Sequence, residues 1–130
     1  MKPERLEPAG LAPPEEPYVH AVRAGSTLYM AGQVAFDEQN QVVGRGDPRR
    51  QIEQCWSNIE RIVGSAGGTL ENVVKIVVYF KDIRHFPHEL EVRRRLFGDG
   101  PYPVATVVQV ANLGLDDLLV EIDATAVLDS

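Results

Sequence analysis

Apolar residues recur at Ile52, Cys55, Trp56, Ile59, Ile62, Val63 and Ala66, three and four apart, with polar residues between them. That period puts one apolar stripe on an α-helix. Asp47-Pro48 opens the stretch, because aspartate can cap the free first-turn amides and proline is tolerated at the first helical position. Gly67-Gly68 closes it. From Val73 to Phe80 (VVKIVVYF) the pattern is continuous instead of periodic. It is dense in β-branched and aromatic residues and apolar on both faces, which predicts a central strand covered on both sides. Residues 18–23 and 27–34 predict two shorter strands divided by the Ala24-Gly25-Ser26 turn. Gly32 interrupts the second, and a glycine within a strand marks a bulge or a place where something approaches the backbone closely. A turn is expected at 37–40 and a second helix over 82–97, with Pro87 in its first turn and Leu90 and Phe97 toward the core. Residues 98–103 (GDGPYP) read as a loop, and 105–110 and 118–128 as the last two strands.

The order strand, strand, helix, strand, helix, strand, strand predicts an α+β fold: a mixed sheet with two helices on one face. Helices on one face leave the second side of the doubly apolar strand open, so a second copy of the chain is expected to cover it. At 130 residues, 44% hydrophobic and 25% charged, the composition is that of one folded domain. The prolines concentrate in residues 1–17, read as an extended N-terminal lead-in without the apolar run of a secretory signal; residues 18–130 are the domain. No apolar run reaches the ~20 residues of a membrane span. The lone Cys55 excludes an internal disulfide and reads as a small buried hydrophobe, and a cytoplasmic setting is expected. The net charge of −6 disfavours nucleic-acid binding, which depends on neutralising phosphates. The clustered Arg45, Arg49 and Arg50, and Arg93, Arg94 and Arg95, read as solvated helix faces.

Candidate chemistry centres on Glu121. In the segment 118–126, Val120, Ile122, Ala124 and Ala126 alternate with Glu121, Asp123 and Thr125, so both carboxylates face one side, roughly 7 Å apart. If that side is enclosed, desolvation and mutual repulsion raise at least one pKa, which suits acid–base work. Spacing alone is also met by an exposed sheet face with two solvated carboxylates. His20, His85 and His88 are scattered, with no third ligand at diagnostic spacing, so no metal site is expected. Phosphate-loop and G-x-S-x-G motifs are missing from the sequence.

Several segments nonetheless match one family in order and spacing. They are Ala31-Gly32-Gln33, Gln51 with Asn58-Ile59, Gly67-Gly68 before Val73-Val74-Lys75, and Val120-Glu121-Ile122-Asp123-Ala124 with Ala126. Together they resemble the Rid (YjgF) family of reactive-intermediate deaminases, over residues 18–128. The resemblance implies a chorismate-mutase-like fold, a homotrimer with pockets between subunits, and hydrolysis of short-lived enamines and imines without metal or cofactor. It assigns the water-activating glutamate to Glu121 and pocket-lining roles to Tyr18 and the backbone near Gly32.

One family feature differs. Active deaminases carry Pro-Ala-Arg-(Ser/Thr), whose arginine pairs with the substrate carboxylate. Here the segment reads Pro103-Val104-Ala105-Thr106, which leaves Ala105, Thr106 and Val107 as the matching substrate-binding positions. A frequent asparagine falls near Leu90 and a frequent tyrosine near Arg93. The chain thus resembles the subgroups lacking that arginine, and Arg93 is the candidate to replace it in part. A charged hydrogen bond contributes about 1.5–3 kcal/mol, so weak turnover of 2-aminoacrylate is expected. Three functions follow: an enzyme hydrolysing an imine, enamine or related compound that is larger or lacks the carboxylate, with Ala105 making room; a trimer that binds a small metabolite without turnover; and nucleic-acid cleavage, which the acidic balance disfavours.

Overall fold

The computed structural model describes residues 2–129. Its elements are β1 (Glu4–Leu6), β2 (Ala21–Ala24), β3 (Thr27–Met30), α1 (Pro48–Ser65), β4 (Val73–Phe80), α2 (Phe86–Phe97), β5 (Val104–Gln109) and β6 (Val120–Val127). The strands form one mixed sheet in the order β1-β2-β3-β6-β4-β5. Among the described residues, β4 and β5 are the one parallel pair. This is the α+β, chorismate-mutase-like layout, with both helices over one face.

The predicted stripe builds α1. Ile52, Cys55, Trp56, Ile59, Ile62 and Val63 are all buried. The Asp47 carboxylate accepts from the Arg50 amide at 3.1 Å. At the other end the helix stops one residue before the predicted Ala66, which caps it. Gly67 then takes φ +86°, a left-handed conformation that a side chain disfavours, and the Gly68 amide donates to Val63 O.

The second helix begins later than its pattern indicated. Asp82 caps a 3-10 turn over Ile83–His85, and α2 follows, with Pro87 in its first turn. Phe97 is in the core as expected and meets Trp56 edge to face at 5.4 Å. Leu90, however, is only half-buried; the residues of α2 that face the core are Val92 and Glu89. The Glu89 carboxylate is accommodated there because Trp56 Nε1 and the Arg93 guanidinium both donate to it.

Other boundaries shift inward. Pairing of β2 starts at Ala21, so Tyr18–His20 lies outside the ladder. The β3 ladder ends at Met30, and beyond it Gln33 makes a single bridge to Ile122. From the proline-rich segment, residues 4–6 add β1 to the sheet edge. In β6 the alternation is as predicted: Val120, Ile122, Ala124 and Ala126 are buried under the helices, while Glu121, Asp123 and Thr125 face away. Val73, Ile76, Val78 and Phe80 of β4 are likewise buried, but Lys75, Val77 and Tyr79 lie on the face that no helix covers. Tyr29, Val104, Val108 and Val127 are exposed as well. Among the described residues, no helix is long and apolar enough to cross a membrane.

Candidate active site

Glu121 projects from β6 on the helix-free side. The Gln33 amide donates to Ile122 O at 2.8 Å, and the Ile122 amide to Gln33 O at 2.9 Å. This bridge lays Gly32 beside the Glu121 side chain. A Cβ on Gly32 would stand 2.9 Å from Glu121 Cδ and closer still to Oε2. The group approaching the backbone at Gly32 is therefore this carboxylate. Burial, with Asp123 two residues on, holds the Glu121 carboxyl above the ordinary glutamate range. Asp123 is also raised by burial, with Lys75 opposing the rise. Among the described residues, no donor lies within hydrogen-bond distance of the Glu121 carboxylate. A half-buried carboxylate with a raised pKa and no protein partner is a stronger base than an ordinary glutamate and is free to take a proton and give it back.

In front of it lies a cavity of about 360 Å³, with Tyr18, His20, Gly32, Phe36, Asn58 and Glu121 in its wall. The Tyr18 hydroxyl is raised, first by burial and then by the Glu121 and Glu16 carboxylates. The proline-rich segment supplies one side of the cavity through Leu11, Ala12, Pro14, Glu15 and Glu16. His20 ties that segment down. The Gln33 side-chain amide donates to Ala31 O (3.1 Å) and to His20 Nδ1 (3.3 Å), which leaves His20 Nε2–H to donate to Ala12 O at 2.9 Å.

Two polar residues of α1 shape the same wall from beneath. Asn58 Nδ2 donates to Val34 O and Phe36 O, pinning the chain beyond Gly32. Gln51 donates to Asp117 O and accepts from the Leu119 amide, fixing the entry to β6. Sequence reasoning assigned no task to His20, Gln51 or Asn58. A signal for the last two was present: Gln51, Cys55 and Asn58 fall at helical spacing on one face, so two amides sit within an otherwise apolar stripe. A buried amide needs partners, and here the partners are loop carbonyls.

The structure thus brings Tyr18, Gly32 and Glu121 together. Ala105, Thr106 and Val107 lie elsewhere, on the edge strand β5, outside this cavity within the single chain. Arg93 is also outside it, its guanidinium paired with Glu89. The remaining clustered arginines lie mainly at the outer surface of the helices, where Arg49 pairs with Glu53 and Glu91, and Arg95 with Glu53. Cys55 is buried, and burial pushes its thiol far up. His85 and His88 stand at the start of α2, and among the described residues no three His, Cys, Asp or Glu side chains converge as metal ligands.

In sequence and fold the chain is similar to known proteins. The family model described as Endoribonuclease L-PSP matches residues 9–128. The chain is 30% identical over 130 residues to the 2-iminobutanoate/2-iminopropanoate deaminase of Dermatophagoides farinae, covering 99% of this chain and 100% of that one. It is 33% identical over 126 residues to the 3-aminoacrylate deaminase RutC of Acinetobacter baylyi, covering 97% and 98%. A Rid-family structure from Yersinia pestis superposes with a TM-score of 0.92 at 23% identity, covering 98% of this chain and all of that one. RidA from an Antarctic Psychrobacter superposes with a TM-score of 0.88 at 32% identity, covering 96% and 99%. The chain belongs to the Rid (YjgF) family.

Proposed function

We propose that the chain is a cofactor-independent hydrolase that releases ammonia from a small imine or enamine, with Glu121 activating the water. The observation that carries this reading is the raised, unpartnered Glu121 carboxylate, set against Gly32 at the wall of a cavity. Water held by Glu121 adds its oxygen to the imine carbon and gives its proton to the carboxylate. Glu121 returns that proton to the nitrogen. The new hydroxyl then gives up its proton, which passes to the nitrogen as the C–N electrons leave with ammonia and the carbonyl forms. Tyr18 and the backbone at Gly32 orient the substrate, and the reaction consumes only water. The relatives named as deaminases of 2-imino acids and of 3-aminoacrylate support this class of substrate.

The assembly that completes the site is a homotrimer. Its support is the uncovered sheet face, where Tyr29, Val77, Tyr79, Val104 and Val127 would otherwise meet water. In that assembly Ala105, Thr106 and Val107 of one copy border the Glu121 cavity of the next. Sedimentation equilibrium should give a trimer at micromolar concentration, and a monomer would remove the interface from the proposal.

The chemistry is tested by generating imines in situ with an amino-acid oxidase and following ammonia release. Glu121→Gln should slow hydrolysis by about 10²- to 10⁴-fold, the usual contribution of a general base. Ala105→Arg should raise the rate on carboxylate-bearing imines by about one to two decades, because arginine restores a bidentate partner for the carboxylate. One observation favours a second reading, a trimer that holds a metabolite without turnover: alanine stands where active relatives anchor their substrate. Wild type and Glu121→Gln with equal rates on every imine offered would select that reading.

A further inference from the structure

Tyr18 reaches the cavity from a loop with little else to hold it. Half of its surface is exposed, so packing does not fix the ring. From Pro14 to Val19 the backbone makes one hydrogen bond among the described residues, Tyr18 N–H to Glu16 O at 2.8 Å, and that bond is internal to the loop. Pro13, Pro14 and Pro17 stiffen the segment without supplying donors. The place of Tyr18 is therefore set by how the two ends of the loop are held. Upstream, Leu11 packs against the core and Asn40 donates to Pro13 O at 3.1 Å. His20 joins that end to the other. Its Nε2–H donates to Ala12 O at 2.9 Å, eight residues away. Its own carbonyl accepts from the Ala31 amide at 2.8 Å, and its Nδ1 accepts from Gln33 Nε2 at 3.3 Å. Gln33 is also the residue whose backbone bridges Ile122, next to Glu121. One imidazole thus links the Tyr18 loop to the strand that carries Glu121, and every one of these bonds lies within a single chain.

We propose that His20 is a positioning residue: it closes the loop 12–20 and so holds Tyr18 in place at the Glu121 cavity. It acts through this loop and not on the substrate. Both ring nitrogens are engaged, one as donor and one as acceptor, so neither is left to move a proton. Gln33 sets this division, because its Nε2 also donates to Ala31 O at 3.1 Å and so presents a donor to Nδ1. A neutral side chain with one donor and one acceptor at matching positions should do the same work. Tying the ends of a short loop removes most of the conformations that its tip could take before a ligand arrives, and that ordering no longer has to come out of binding. The consequence for the reaction rests on the hydrolase reading above; the consequence for the loop does not.

Three substitutions of His20 test this in the intact protein. Glutamine carries a donor and an acceptor and can serve both partners. Asparagine, shorter by a methylene, keeps an acceptor for Gln33 and falls short of Ala12 O. Alanine offers neither. NMR order parameters of the Glu15, Glu16, Tyr18 and Val19 amides read the loop directly. They should stay near about 0.85 in wild type and His20→Gln, and drop below about 0.6 in His20→Asn and His20→Ala. On imines generated in situ, the two loosened variants should raise KM about tenfold with kcat within about twofold of wild type, and His20→Gln should restore KM. A histidine that only supported the fold would shift urea unfolding and leave KM alone. The glutamine–asparagine pair decides the matter even if alanine unfolds, since both keep a polar side chain. A loop as ordered in His20→Asn as in wild type, or a His20→Gln variant as loose as His20→Asn, would overturn the proposal, and so would a loosened loop with KM unchanged. Glu121→Gln as fast as wild type, with the order parameters following the series, would refute the hydrolase and leave the loop tie standing.

Discussion

Two glutamates divide this molecule between them. Glu89, on α2, is fully buried at the contact with α1, and Trp56 and Arg93 donate to both of its oxygens. Glu121, on β6, is half-buried at a cavity, has Asp123 as its charged neighbour, and receives no hydrogen bond from the described residues. Burial alone therefore does not separate a structural carboxylate from a reactive one. What separates them is whether the surrounding chain supplies the donors. At Glu89 the desolvation cost is met by an ion pair and an indole N–H, so the charge is fixed and has no chemistry left to do. At Glu121 the cost is left standing, and a substrate or a water is the group that can relieve it.

The sharpest way to break this comparison is to remove Glu89. Glu89→Ala should destabilise the fold by about 3–5 kcal/mol, because it leaves the largely buried Arg93 guanidinium without its partner. Urea unfolding measures this. Glu89→Met combined with Arg93→Met should recover most of the loss, since replacing both ions by apolar groups of similar size is often neutral. Glu121→Gln should leave stability within about 1 kcal/mol of wild type, as a substitution on a partly exposed surface does. If Glu89→Ala unfolds with wild type, the pair is not what holds α2 to α1, and the contrast fails.

A smaller effect sharpens the other side. Gly32→Ala puts a methyl group where the Glu121 carboxylate lies. The carboxylate has to swing away, and a displacement of about 1 Å costs on the order of 10²-fold in rate. Imine hydrolysis should fall by about that factor, while the urea midpoint moves little, because the flexible end of a side chain absorbs the clash. Unchanged turnover would show that the observed position of Glu121 is not the working one.

Much of this was legible along the chain, and the losses share one cause. Periodicity marked α1 and β6 almost to the residue, because each has one face against the core and one away from it. The alternation also placed Glu121 opposite Val120 and Ile122 correctly. Helix α2 was harder to read. Its core-facing position is a glutamate neutralised four residues later by Arg93, and a scan for apolar residues passes over such a pair in favour of Leu90. The wall of the cavity was missed for a related reason. Residues 11–16 are held through their own carbonyls, Ala12 O by His20 and Pro13 O by Asn40, and His20 in turn by Gln33, and no local pattern encodes those partners. The glycine at position 32 was visible as an interruption, yet only the bridge between Gln33 and Ile122 shows what comes close to it.

The smallest effect is a matter of protons. Burial and Asp123 raise the Glu121 carboxyl above its ordinary value of about 4.3. The base form is then lost on the acid side at a higher pH than a free glutamate would show, so hydrolysis should decline as pH falls through that raised value. Asp123→Asn removes the repelling neighbour and should move this limb to lower pH, leaving the rate at neutral pH nearly unchanged. Stability carries the opposite signature. A carboxyl raised in the folded state contributes stability that is fully present below its unfolded pKa and is lost as pH rises through the folded pKa. Glu121→Gln abolishes that loss. The variant should be slightly more stable than wild type at neutral pH, and the difference should vanish below the ordinary glutamate range. Paired urea titrations at neutral and acidic pH read it directly. A variant that is less stable at neutral pH would mean that Glu121 has a donor in the folded protein after all, and would place it beside Glu89 as a structural charge.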